Sequence, residues 1–130
     1  MIESKYPIWE CSVVEANQWP GIFLIKVQNV GLVASAFTPM ELKLESSSDE
    51  LRLSEFSLVG GQAFANPGDC VVFDLRLKLT NPPRDETSLN AVAKILSDEV
   101  KSAESIVARL SYQLWTGAEG YLDMDLTSKK

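Results

Sequence analysis

The chain has 130 residues, of which 45% are hydrophobic, 23% charged and 8% aromatic. That length suits one domain over residues 1–130, able to bury about two-thirds of its unfolded surface, and the composition excludes a disordered or fibrous chain. Twelve basic residues against eighteen acidic ones leave a formal charge of −6, which argues against nucleic acid or an anionic membrane surface as a partner.

No histidine occurs. The commonest general base near neutral pH, the Ser–His and Cys–His pairs and the most frequent metal ligand are therefore missing. An enzyme would be left with carboxylate, lysine or tyrosine chemistry. Cys11 and Cys70 each sit in an apolar stretch without the CxxC spacing of a zinc site, and read as reduced, core-filling residues. Met1 to Lys5 lack the basic start and apolar run of a signal peptide, and no stretch is as long as a bilayer span. The expected location is the cytoplasm.

Along the chain, residues 7–80 read as about six antiparallel strands. Pro7 to Glu15 is apolar and β-branched, and residues 17–21 break it at Pro20-Gly21, a type II turn pair. Ile22 to Gln28 follows, then a break at Asn29-Val30-Gly31 and a return strand over Leu32 to Phe37. Met40, Leu42 and Leu44 alternate with Glu41, Lys43 and Glu45 before the polar turn Ser46 to Asp49. Leu51, Leu53, Phe56 and Leu58 continue the alternation with a slip near Glu55 that suits a bulge. Gly60-Gly61 opens a loop that closes at the turn Asn66-Pro67-Gly68-Asp69. From Cys70 to Thr80, Val71, Phe73, Leu75, Leu77 and Leu79 share one face opposite Asp74, Arg76 and Lys78, so one side is packed and the other solvated.

Asn81-Pro82-Pro83 ends the strand region. Leu89, Ala93, Leu96, Val100, Ala103, Val107, Leu110 and Leu114 then recur at spacings of four and three, with no Gly or Pro before Gly117 and a cap available at Thr87 or Ser88. This spacing predicts one long helix over about 86–115, roughly 45 Å long. Gly120 opens a closing strand over about 120–126, with Leu122, Met124 and Leu126 on one face. Strands first and a helix after give the α+β class.

The helix outreaches the strands beneath it. It suits a helix lying on its own sheet, widened by Val92, Ile95 and Ile106, with an apolar overhang for a partner or second copy. Val100, Ala103, Val107, Leu110 and Leu114 are therefore candidate partner-binding residues, together with Trp115 at the helix end and Trp19 in its turn. Trp9 reads as core. Asp123 and Asp125 lie two apart on a strand, but no further oxygens are in view and a solvated face explains both. Gly60-Gly61-Gln62 lacks the Lys and Ser/Thr of a phosphate loop.

The expected function is that of a small acidic interaction module, acting by protein–protein binding and self-association, with no catalytic, cofactor or metal residues assigned. The alternative is a small-molecule site or carboxylate-based enzyme in a pocket between sheet and helix.

Overall fold

The strand Cys70–Leu79 shows how the alternation is used. Val71, Phe73, Leu75, Leu77 and Leu79 are buried, whereas Arg76 and Lys78 are exposed. The computed structural model describes residues 8–15, 19–59, 63–81 and 89–127. Its elements are β1 (Trp9–Glu15), β2 (Ile22–Asn29), β3 (Ser35–Ser46), β4 (Leu51–Leu58), β5 (Phe64–Ala65), β6 (Cys70–Leu79), α1 (Leu89–Ser102), β7 (Ile106–Leu114) and β8 (Glu119–Asp125). A first sheet has the order β1-β2-β6-β4 and a second the order β5-β3-β7-β8, and every pairing is antiparallel. The inner faces pack on one another through Phe23, Ile25, Phe73 and Leu75 of the first sheet and Phe37, Ile106, Leu110 and Met124 of the second. The fold is α+β with a single helix among the described residues, as the change of period predicts.

The helix is shorter than its apolar spacing suggests. It stops at Ser102, and the second half of the expected 86–115 helix is the strand β7. The reason lies in a coincidence of periods. Leu110 and Leu114 are four apart, which is one helical turn and also two pleats of a strand. From Ile106 the even positions Ile106, Ala108, Leu110 and Leu114 are buried, while Arg109 is exposed. The β-branched and aromatic residues Ile106, Val107 and Tyr112 favour the pleated form. Gly117 accordingly closes the β7–β8 hairpin and does not cap a helix.

Between residues 9 and 79 there are six strands, with two redrawn boundaries. The expected strands at 32–37 and 40–45 are one strand, β3, which begins at Ser35 and takes up Pro39 at a bulge between Pro39 and Glu41. The short β5 forms where a loop is expected. The bulge in β4 falls between Leu53 and Glu55, at the predicted slip. Gly21 and Gly68 adopt φ values of 79° and 91°, as their turns require. Gly21 also meets a packing limit, since a Cβ there would sit 3.1 Å from Cδ2 of Leu96. Cys70 is exposed and Cys11 half-buried, which corrects the reading of both as core. Cys70 pairs with Gln28, whose row faces outward, whereas Cys11 shares the inner-face row of Val27 and Val71. Residues 16–18, Gly60-Gly61, Pro82-Pro83, the cap at Thr87 or Ser88 and the last three residues fall outside the described residues.

Helix α1 closes one end of the sandwich. Leu96 and Val100 are buried there. Ser47 Oγ accepts from the N–H groups of Glu104 (2.8 Å) and Ser105 (3.1 Å), while Ser48 Oγ donates to Glu99 Oε2 (2.7 Å). The serine turn after β3 therefore holds the passage from α1 into β7. The far end is tied by the buried Asn29. Its Nδ2 donates to the carbonyls of Val33 (2.8 Å) and Ala65 (3.1 Å), and its Oδ1 accepts from Gly31 N–H (3.0 Å). Its own backbone bonds Asp69 and Gly68, so one residue joins β2, β5 and the turns leading to β3 and β6.

Phe73 and Leu75, 1% and 0% exposed, are central to this core. Replacing either by Ala should cost about 2–5 kcal/mol through lost burial and a residual cavity. Urea denaturation measures it, and an unmoved midpoint would contradict the register of β6.

Candidate functional site

The seven candidate partner-binding residues divide among the helix, the core and two turns. Val100 is buried at the end of α1, and Leu110 and Leu114 are buried in the inner face of β7. Ala103 is half-buried against the core beyond the helix, and Trp19 is half-buried in the turn before β2. Val107 is half-buried on the outer face of β7, between Glu45 and Asp125. Trp115, 71% exposed, sits in the β7–β8 turn at the end away from α1. The apolar stripe that was to meet a second copy is thus mostly interior, because it is built from a short helix and a core strand.

An opening lies elsewhere, where the edge strands β1 and β8 approach one another. It is a cleft of about 630 Å³. Phe23, Met124 and Leu126 form its apolar floor, Cys11 and Val13 line the β1 side, and Glu15, Asp123 and Asp125 border it, the last two in the exposed outer row of β8. Among the described residues, no lysine or arginine lines it.

The backbone gives this cleft its chemical character. Each of the two strands pairs with one neighbour among the described residues, β1 with β2 and β8 with β7. Val30 N–H donates to the Ile8 carbonyl (2.7 Å), and this sets the alternation along β1. Glu10, Ser12 and Val14 turn their backbone groups toward β2, so Cys11, Val13 and Glu15 turn theirs toward the open side. On β8, Leu126 N–H donates to the Ile106 carbonyl (2.8 Å), so Asp123 and Asp125 likewise direct backbone groups away from β7. Both edges therefore present main-chain donors and acceptors to the same cleft.

The electrostatics are those of a wet rim over an apolar floor. Arg109, on the outer face of the second sheet, reaches Asp123 at 2.8 Å, and this hydrogen bond holds the Asp123 carboxyl below its ordinary range. Burial raises the Cys11 thiol to about 11, so it is a protonated, weak nucleophile at neutral pH. Smaller depressions occur on outer faces, such as one of about 340 Å³ beside Lys43, Arg109 and Tyr121. Among the described residues no three His, Cys, Asp or Glu side chains converge on a common metal position, and no helix is long and apolar enough to cross a membrane. Asp123 and Asp125 lie on a solvated strand face, the arrangement their spacing suggests.

The fold defines the class, an eight-stranded antiparallel sandwich with a helix across one end. Comparisons with protein-family models, curated proteins and solved structures find no match to this chain.

Sequence reasoning identifies β1 as a strand but not as an open edge, because no residue of Trp9–Glu15 announces which strands lie beside it. The one available signal is negative: this strand contains no proline or lysine, the residues that usually protect an edge.

The two thiols differ in accessibility, and burial suppresses ionisation of Cys11. With its thiol at about 11, roughly one Cys11 in a thousand is ionised at pH 8. Iodoacetamide at pH 8 should alkylate the exposed Cys70 well before Cys11, as followed by peptide mass spectrometry. Equal rates would show that the Cys11 side of the cleft is as open as the outer face.

Proposed function

We propose that the chain is a small, single-domain, cytoplasmic binding module that takes up an extended polypeptide segment along the open edge of β1. The observation that carries this reading is the undefended edge itself. Main-chain groups of Cys11, Val13 and Glu15 face a cleft with an apolar floor, and strand addition to such an edge is a general mode of peptide recognition. Two other exposed strand margins are irregular: β4 is bulged between Leu53 and Glu55, and β3, beyond its two-residue pairing with β5, carries Pro39 at a bulge. β1 keeps an unbroken seven-residue register with β2 and so offers about 23 Å of pairing length. The missing histidine and the two unpaired thiols accord with a binding role in a reducing compartment.

Proline substitution separates the edge from the ladder. Val13→Pro removes an N–H that points to the cleft, whereas Ser12→Pro removes one that bonds β2. With peptides selected from an unbiased display library and measured by titration calorimetry, Val13→Pro should weaken binding about tenfold or more while melting near the wild-type temperature. Ser12→Pro should lower the melting temperature. Undiminished binding to folded Val13→Pro would place the site away from β1.

A further inference from the structure

The outer face of the first sheet carries a line of apolar side chains that the core does not use. Val14 pairs with Leu24, Lys26 pairs with Val72, and just beyond β4 the Val59 N–H donates to the Val72 carbonyl (2.8 Å). Leu24 and Val72 are diagonal neighbours. In the strand order β1-β2-β6-β4, Val14, Leu24, Val72 and Val59 therefore cross the whole sheet as one stripe. Val14, Leu24 and Val59 are 57%, 39% and 48% exposed, and Val72 is half-buried. One charge of each sign borders the stripe, on opposite sides: Lys26 beside Leu24 on β2, and Asp74 beside Val72 on β6. Asp74 Oδ2 accepts from Arg76 (3.2 Å), while its Oδ1 has no hydrogen-bond partner. Lys26 makes no ion pair among the described residues.

We propose that this face docks on a second copy of the chain, stripe against stripe, about a two-fold axis that runs along the stripe. Such an axis lays each strand over its own counterpart and turns the Lys26 border of one protomer onto the Asp74 border of its partner. Lys26 then meets a carboxylate with an oxygen that lacks a donor, and the contact is made twice. The charges of the whole face agree. Lys26, Arg52, Arg76 and Lys78 stand there against Glu10, Glu55 and Asp74, four cations against three carboxylates, in a chain of formal charge −6. The outer rows of β3, β7 and β8 instead set five carboxylates against Lys43 and Arg109, so two copies repel one another on that side. Four strands of about eight residues cover about 19 Å by 27 Å, roughly 500 Å² per copy and about 1,000 Å² in all, the lower limit for a specific interface. The association is accordingly reversible. It uses the face of the sheet and leaves the β1 edge free, so it stands or falls separately from strand addition.

Sedimentation equilibrium across the micromolar to millimolar range tests the contact. The mass should rise with concentration from the 14.4 kDa of one chain and level off at two copies. Leu24→Glu and Lys26→Glu should each weaken association about tenfold or more. Both positions are exposed, so both variants should melt near the wild-type temperature. Lys26→Arg should associate as the wild type does. Lys43→Glu makes the same change in net charge on the second sheet and should leave association intact. A mass that stays at one chain throughout overturns the proposal, as does association that folded Leu24→Glu and Lys26→Glu leave undiminished. Equal weakening by Lys26→Glu and Lys43→Glu would show net charge alone at work and overturn the facing of Lys26 and Asp74. A mass that climbs past two copies without levelling would reveal a head-to-tail contact and overturn the two-fold one.

Discussion

The two sheets are joined at the ring of Phe37, and the position of the open edge depends on that contact. Phe37 is fully buried on β3 and meets Trp9 of β1 edge-on (5.0 Å between centroids), Phe73 of β6 (5.8 Å) and Tyr112 of β7 (4.8 Å, stacked). Phe56 of β4 stacks on Phe73 at 4.8 Å and extends the cluster. Each ring removes a large apolar area from water, and offset or edge contacts add about 0.5–1.5 kcal/mol per pair. For β1 the consequence is specific. An edge strand has ladder bonds on one side only, and Trp9 gives this one a second attachment, through the core. The edge is therefore held in strand form by the protein's own core.

The remaining constraints leave this side of the sandwich as the open one. At the far end, Asn29 satisfies the carbonyls of Val33 and Ala65 and the N–H of Gly31 from inside the protein. At the near end, α1 and the Ser47–Ser48 turn cover the start of β7. Bulges twist β3 and β4 out of regular register. Between β1 and β8 neither a bulge nor a covering helix occurs among the described residues, and the two edges approach one another over an apolar floor.

How much of this was legible in the sequence follows from the range of each signal. Period-two patterning is local, so Cys70–Leu79, the β4 slip near Glu55 and the turn glycines at 21 and 68 could be placed from neighbours alone. The segment 106–114 could not, because Leu110 and Leu114 satisfy both periods and the tie lies in tertiary pairing with β3 and β8. The loss of the long helix removed the expected binding stripe, since Val100, Leu110 and Leu114 became interior. The cleft was invisible for a related reason. It is made by Cys11 and Val13 meeting Met124 and Asp125, more than a hundred positions away, and no spacing rule reaches that far.

Residue-resolved amide exchange of the free protein tests the central claim most directly. If the β1 edge is open, protection alternates along the strand: the Ser12 and Val14 amides, bonded to β2, exchange slowly, and those of Cys11 and Val13, directed to the cleft, exchange faster. Equal, strong protection at all four would show the edge already covered in the unbound protein and would contradict the account.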